Sequence, residues 1–201
     1  MSSTRESTEL RRRQIVDAAR RIIATRGTDA LTIREIAKEV GISDGNVYRH
    51  FENKRDIILL LIEDIERTLL KAVKRAAHEK NKPLASLSNV LKAHLSYVEQ
   101  RRGISLIIIS ETVRSADSDL RQRMFKVVDQ YICRIEELLA HGVELGQVRK
   151  DLDINTAAFT FFALVHGTVT LWALSDSAFS LAQRHKPLWD SYLASIAVRG
   201  D

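Results

Sequence analysis

The chain is short of cysteine and proline, with one and two residues respectively among 201. The single cysteine, Cys133, cannot form an intramolecular disulfide, and within a predicted helix we expect it to pack as a small apolar side chain rather than sense redox state. The sequence also lacks a P-loop, a glycine-rich dinucleotide signature and a His-Glu-x-x-His pair. We also expect no Gly-x-Ser-x-Gly nucleophile elbow. These absences indicate that the protein is not an enzyme.

Clustered metal ligands are also missing, because the six histidines are scattered along the chain. No two of them are spaced at i, i+3 or i, i+4, so one helix face cannot present two imidazoles to a metal ion. We therefore expect no metal and no cofactor. The N-terminus has no apolar signal core, and we expect the protein to be cytoplasmic.

Residues 154–175 carry no charged side chain. They are long enough to cross a bilayer, which needs about 20 residues, and a membrane span is the main alternative for this segment. Its several polar residues, and the acidic Asp153 and Asp176 at its two ends, argue against a span. A helix covered by a second copy of the chain explains the composition better, with Gly167 near Ala163 allowing close approach. We expect a homodimer and no membrane.

All apolar periodicity in the chain is helical and predicts an all-α fold. Residues 104–109 have strand propensity, but no partner strand exists elsewhere, so a buried helix is favoured there. The predicted helices are a first one ended by Gly27, then 32–40, 44–50, 56–80, one from Pro83 to before Gly103, 104–114, 118–145, 154–175, and a last one starting at Pro187.

Residues 32–54 hold the most informative pattern, two short helices joined by a glycine turn. Thr32 is placed to cap the first helix, with Glu35 completing a capping box. Gly41 supplies a positive φ that ends this helix, and Ser43 is placed to cap the second. Val47 is the main apolar residue of the second helix, so its polar side chains are free to face base edges and phosphates.

The charge distribution agrees with a DNA-binding function. Residues 10–55 hold 11 Lys or Arg against 6 Asp or Glu, whereas the rest of the chain holds 20 of each. Localised basicity of this kind is typical of phosphate binding. The run 11–13 of three arginines has two open interpretations, DNA contact and a solvated helix start.

The same region resembles the tetracycline-repressor (TetR) family of bacterial regulators. The resemblance is close over residues 10–57 and extends to the rest only in layout. The residues that carry it are Ala18 and Ala19 with Gly27, Leu31 to Ala37, Val40 to Ser43, Asn46 to Phe51, and Asn53 with Lys54.

The resemblance implies an N-terminal three-helix helix-turn-helix DNA-binding unit at residues 1–55. A C-terminal helical domain for ligand binding and dimerisation follows at residues 56–201. The position of Tyr48 resembles a phosphate-contacting aromatic, and that of Lys54 a helix N-terminus against the DNA backbone. Asp44 departs from the family pattern, in which lysine, proline or glutamine is expected at this position. An aspartate repels phosphate, but it can accept from a cytosine amino group or favour the helix start. The full set of predicted DNA contacts is Thr32, Arg34, Ser43, Asp44, Gly45, Asn46, Tyr48, Arg49, His50 and Lys54.

The family layout also implies an effector pocket between Pro83 and residue 175. Polar groups on otherwise apolar helices are the candidates for contacting the effector, and the apolar residues around them favour a small hydrophobic molecule. These candidates are His94, Tyr97, Ser110, Glu111, Arg114, Tyr131, His166 and Trp172. Each has the alternative of being satisfied within the core, and Arg114 can simply pair with Glu111 at i, i+3.

Together these features predict a homodimeric transcriptional regulator. The family resemblance implies that it is a repressor. It would bind a palindromic operator in double-stranded DNA and leave it when a small-molecule effector binds. The alternative is a ligand-independent architectural DNA-binding protein.

Overall fold

The structure is a computed structural model that describes residues 2–77 and 82–198, with side chains from residue 8 onward. The fold is all-α, as predicted; within the described ranges the only strand-like pairing is one isolated antiparallel bridge between Val148 and Ala197. The helices are α1 (Ser2–Arg26), α2 (Ile33–Val40), α3 (Asp44–Tyr48), α4 (Lys54–Ile65), α5 (Lys71–Ala76), α6 (Pro83–Gln100), α7 (Ile104–Arg114), α8 (Ser118–Glu144), α9 (Ile154–Leu174) and α10 (Leu181–Ile196).

The chain forms two compact units. The first unit comprises the chain up to Ile65 together with Ile107–Met124, and the second comprises Glu66–Leu106 with the chain from Phe125 onward. Helices α7 and α8 each contribute residues to both units. The division at residue 55 expected from the sequence stays a prediction.

The first unit is organised around α1, which packs against α2 and α4, while α3 packs against α2. The apolar face of α1, which includes Ile15, Ala19 and Ile22, is fully buried. In α2, Ile36 and Ala37 are buried, whereas Ile33 and Val40 at the two ends are half-buried. A partly buried ion pair joins α1 to α4, with Arg20 Nη1 3.1 Å from Asp64 Oδ2. This packing leaves the outer side of α3 free.

The second unit is built on α6, which packs against α5, α9 and α10, while α9 also packs against α10. Leu87, Leu91 and Leu95 of α6 are fully buried, because their four-residue spacing places them on one face of the helix. Tyr192 of α10 donates to the carbonyl of Ala157 in α9 at 2.9 Å. That bond fixes the two helices against one another.

Two predicted helices differ from those observed. The helix expected over 56–80 starts earlier, at Lys54, and contains a π-helical segment, Glu66–Leu70, before α5. Its predicted end at Lys80 lies outside the described residues.

The last helix starts at Leu181, before the predicted start, and Pro187 lies inside it. Its first turn is held by tertiary contacts, because Leu181 is buried and its N–H donates to the Glu99 carboxylate at 2.9 Å. Pro187 has no backbone N–H, so the carbonyl of Gln183 lacks its helical hydrogen bond. Gln183 is exposed, and water can bind that carbonyl. Tertiary packing therefore lets this helix begin before Pro187, although proline favours the first turn of a helix.

Candidate nucleic-acid interface and effector region

Local capping fixes the two helices α2 and α3. Thr32 Oγ1 accepts from the N–H of Glu35 at 3.1 Å, and Ser43 Oγ accepts from the N–H of Asn46 at 3.3 Å. The Glu35 carboxylate accepts from Arg26 at 2.5 Å, so of the predicted capping box the structure records the Thr32 half. Gly41 ends α2 with φ 75°, as predicted. These caps satisfy the backbone donors that a short helix would otherwise leave open.

Residues 41–45 match the Gly-x-Ser-x-Gly spacing of a hydrolase nucleophile elbow, so the expected absence of this spacing is wrong. An elbow requires a strand before the serine and a helix after it. Here Ser43 lies between two helices and caps the second, with its oxygen engaged by Asn46 N–H. The serine is a capping residue in this fold.

Helix α3 is anchored by one side chain and exposes the others. Val47 is fully buried, and Phe51 just beyond the helix is 2% exposed. Tyr48 is 56% exposed, although a tyrosine of a folded domain is usually more covered. Of the predicted DNA contacts, the exposed ones are Thr32, Arg34, Ser43, Asp44, Gly45, Asn46, Tyr48 and Arg49, and the half-buried ones are His50 and Lys54.

Arginines of α1 lie beside the end of α3. The Arg12 guanidinium carbon lies 5.8 Å from the centroid of the Phe51 ring. Burial lowers the pKa of His50, and the positive charges of Arg12, Arg11 and Arg49 lower it further. His50 is therefore neutral at physiological pH and able both to donate and to accept a hydrogen bond. Arg12 was not among the predicted contacts, and the run of arginines was the sequence signal for it.

The start of α4 is a third capped helix end. Asn53 Oδ1 accepts from the N–H of Asp56 at 3.2 Å, and Asp56 Oδ2 accepts from the N–H of Glu52 at 2.8 Å. The Asn-x-x-Asp spacing was a readable signal for this reciprocal cap. Lys54, the first residue of α4, is held here with its Nζ 3.2 Å from Glu111 Oε1.

The predicted effector residues divide between the two units. His94, Tyr97, Tyr131, His166 and Trp172 belong to the second unit, whereas Ser110, Glu111 and Arg114 belong to the first. Ser110 and Arg114 are exposed. Glu111 accepts from Thr28 Oγ1 at 3.0 Å and pairs with Lys54. Burial alone would raise the pKa of Glu111, but the hydrogen bonds from Thr28 and Lys54 outweigh it and lower the pKa.

Four ring side chains of the second unit form a cluster, which we call the imidazole–phenol cluster: His94, Tyr131, Phe162 and His166. His94 Nδ1 and the Tyr131 hydroxyl are 3.1 Å apart, and both residues are buried. The Phe162 ring lies 5.8 Å from that of Tyr131 and 4.2 Å from that of His166. Polar groups from α6, α8 and α9 thus meet in an apolar surrounding.

The imidazole–phenol cluster is electrically neutral. Burial, with a smaller contribution from His166, lowers the pKa of His94 to about 3. Burial also lowers the pKa of His166 and raises that of Tyr131. Each ring is therefore uncharged at pH 7, so the cluster suits a neutral polar group of a ligand better than an anion.

The other two candidates of the second unit have separate surroundings. The Tyr97 hydroxyl accepts from Thr68 Oγ1 at 3.3 Å, and the Arg101 guanidinium lies 5.1 Å from the Tyr97 ring. Trp172 packs on Gly103, where a Cβ would lie 3.2 Å from the indole. Both side chains are buried, and their contact with an effector stays a prediction.

Cys133 is exposed, which contradicts its expected packing as a small apolar side chain. Partial desolvation of the thiol and the carboxylates of Asp129, Glu136 and Glu137 raise its pKa. Such surroundings keep the thiol protonated and slow to react. Among residues 2–77 and 82–198, no group of three or more His, Cys, Asp or Glu side chains is placed to hold a metal ion.

Helix α9 has a large uncovered apolar face. By length and composition it could cross a membrane. Only 33% of its most apolar 18-residue stretch is buried within the chain. Phe159 is 53% exposed, Leu171 64% and Leu174 77%. Ala163 and Gly167, which lie between them at four-residue spacing, are exposed too.

A capped helix-turn-helix that exposes a polar second helix, beside a basic first helix, defines a helical DNA-binding protein. Residues 15–61 match the family of bacterial regulatory proteins of the tetR type, and residues 63–194 match the C-terminal region of YsiA-like proteins. The chain belongs to the TetR family and is a DNA-binding transcriptional regulator. That family comprises regulators, not enzymes.

Similar proteins cover nearly the whole chain. A fatty acid metabolism regulator protein of Bacillus subtilis is 27% identical over 168 residues, which are 84% of this chain and 86% of that protein. The nucleoid occlusion factor SlmA of Vibrio atlanticus is 27% identical over 201 residues, 98% of this chain and 100% of that protein. The crystal structure of FadR from Bacillus subtilis in complex with stearoyl-CoA is 26% identical, with TM-score 0.81, and covers 91% of this chain and 98% of that one.

Proposed function

We propose that the protein is a repressor that reads a palindromic operator in the cytoplasm with α3 and leaves it when a hydrophobic effector binds. The observation that supports this most directly is α3 itself. One fully buried residue, Val47, fixes the helix, while Asn46, Tyr48 and Arg49 are exposed. Residues 1–55 serve as the DNA-binding domain and residues 56–201 as the effector and dimerisation domain.

Within this proposal, side chains have separable duties. Tyr48 and Lys54 bind phosphates and contribute equally to all sequences, whereas Asn46 and Arg49 contact base edges. Selection of bound duplexes from random DNA, followed by salt titration, tests the assignment. Tyr48→Phe is expected to weaken binding to every duplex, and Asn46→Ala to change the selected sequence. A Tyr48→Phe variant that altered sequence preference instead would contradict the phosphate role.

The uncovered face of α9 supports homodimerisation through this helix. Phe159, Ala163, Gly167 and Leu171 recur every fourth residue, and a second copy can bury them in a helix–helix contact. A two-fold dimer would place its recognition helices in half-sites about 34 Å apart. Recovery of an inverted repeat in the selection supports this arrangement.

A charge placed on that face tests the dimer. We expect Leu171→Glu to give monomers in sedimentation, since burying an unpaired carboxylate in an interface is costly. Leu145→Glu is the matched control, because Leu145 is an exposed leucine at the end of α8 and outside the proposed interface. Dimers of Leu171→Glu would refute the proposed face.

The imidazole–phenol cluster supports an effector with a long apolar part and a neutral polar group. An acyl thioester has both, and the FadR structure that resembles this chain holds stearoyl-CoA. Release can follow only if the effector favours the conformation that fits DNA poorly, because equal affinity for both states shifts nothing. Stearoyl-CoA is expected to dissociate the operator complex, whereas coenzyme A alone is not.

A second candidate function is an architectural role on the nucleoid without an effector. The similarity to SlmA, which covers 98% of this chain and 100% of that protein, favours this role as the alternative. The same selection separates the two functions. Binding to an inverted repeat that no acyl thioester relieves would support the nucleoid role.

A further inference from the structure

Glu111 joins three elements of the first unit. Its Oε2 accepts from Thr28 Oγ1, in the turn after α1, at 3.0 Å, and its Oε1 lies 3.2 Å from Lys54 Nζ at the start of α4. Glu111 itself is on α7. Both carboxylate oxygens of this predicted effector residue therefore have donors.

The two donors are of the kind that a DNA phosphate uses. Hydroxyl and ammonium groups at a helix N-terminus are common phosphate ligands, and the dipole of α4 adds to the attraction for an anion. A carboxylate and a phosphodiester are both anions that accept charge-assisted hydrogen bonds from lysine. The Glu111 carboxylate thus accepts from the Lys54 ammonium group, as a phosphate oxygen would.

The pairing is weak enough to be exchanged. The Lys54 side chain is 38% exposed and that of Glu111 is 17% exposed. Ion pairs near the surface are screened by water and salt, and their net contribution is small. Lys54 can therefore leave Glu111 for a phosphate, but the exchange reduces the affinity gained from the new contact.

We propose that Glu111 competes with DNA for Lys54 and so lowers the affinity of the protein for all duplexes. The proposal rests on the proposed phosphate contact of Lys54. Arg55, the next residue of α4, is also paired with carboxylates. It lies 2.5 Å from Asp117 and 3.1 Å from Asp119. Acidic side chains of residues 111–119 thus screen both cations at the start of α4.

Glu111→Gln tests the competition, because glutamine keeps the size and the acceptor but removes the charge. Binding to a random-sequence duplex is measured at low salt for the full chain. We expect affinity to rise about two- to fivefold per subunit, the range of a partly exposed ion pair. In a Lys54→Ala background the same substitution is expected to change nothing. Glu111→Ala is expected to give the same gain, and thermal unfolding shows whether either variant is folded.

Asp119→Asn is the matched control. It removes the same charge from the same unit, but Arg55 keeps its bond to Asp117, and Asp119 is 74% exposed and well screened. Its effect on affinity should therefore be much smaller than that of Glu111→Gln.

The outcomes separate this inference from the proposal beneath it. If Lys54→Ala binds as tightly as the unsubstituted protein, Lys54 has no phosphate contact and both ideas fall. If Lys54→Ala weakens binding while Glu111→Gln leaves it unchanged or weaker, the phosphate contact stands and the competition is refuted. A gain from Glu111→Gln that persists without Lys54 also refutes the competition.

Discussion

Acid should destabilise the protein through His94. In the folded state burial lowers the pKa of His94 to about 3, whereas an unfolded chain titrates it near 6.5. Between these values only the unfolded state takes up the proton, so stability is fully present above pH 6.5 and is lost as the pH falls below it. Between pH 7.5 and pH 5.5 the loss from this one group is about 1.4 kcal/mol.

His94→Asn isolates that contribution. An asparagine can place an amide close to the position of Nδ1, so it can keep a hydrogen bond to Tyr131 without a titrating group. Thermal unfolding is followed at both pH values and at one fixed protein concentration, since subunit association also changes the midpoint. We expect the fall in Tm between pH 7.5 and 5.5 to be about 3–6 °C smaller in the variant.

A control and a refuting result complete the test. His141→Asn changes a histidine on the half-exposed end of α8 and should leave the fall in Tm nearly as it is in the unsubstituted protein. If His94→Asn showed the same acid response as the unsubstituted protein, His94 would be titrating normally in the folded state. The conclusion that His94 is buried and neutral within the imidazole–phenol cluster would then be refuted.

Three further predictions concern glycine packing, DNA binding and thiol reactivity. Gly142→Ala should lower the free energy of unfolding by about 1–3 kcal/mol in urea, because its Cβ would lie 2.5 Å from Val148 Cγ2. Gly45→Ala, where a Cβ meets nothing within 4 Å, should instead be neutral or stabilising by up to about 1 kcal/mol. DNA affinity should change little above pH 7 and rise as the pH falls through the lowered pKa of His50, whose imidazolium attracts phosphate; in His50→Gln that rise should shrink. At pH 7 Cys133 should react with iodoacetamide more slowly than the cysteine of an unstructured peptide, because partial desolvation and three carboxylates raise its pKa. An equal rate would show that the pKa of Cys133 is not raised.

Features set by residues close in sequence were predictable. The bounds of α7, Ile104–Arg114, and the caps at Thr32, Gly41 and Ser43 agree with the prediction. Caps and apolar periods depend on neighbours three or four residues away, so the sequence contains all the needed information. The predicted α3 is two residues too long, which is within the usual uncertainty of helix ends.

Features set by distant residues were not predictable. The early start of α10 depends on a bond between Leu181 and Glu99, which are 82 residues apart. The pairing of Glu111 with Lys54 depends on the packing of α7 in the first unit, and nothing local to either residue signals it. His94 and Tyr131 were each named as effector candidates, but only the fold brings them to 3.1 Å.

The single exposed cysteine also makes this protein convenient for spectroscopy. With one thiol per chain, at Cys133 on α8, a nitroxide can be attached without first removing other cysteines. Labelling should be done at raised pH, because the thiol is held protonated by its acidic neighbours. In the proposed homodimer each molecule would carry two spins, and pulsed electron paramagnetic resonance would return a single distance between subunits. Following that distance as acyl thioester or operator is added would measure the change in subunit geometry directly.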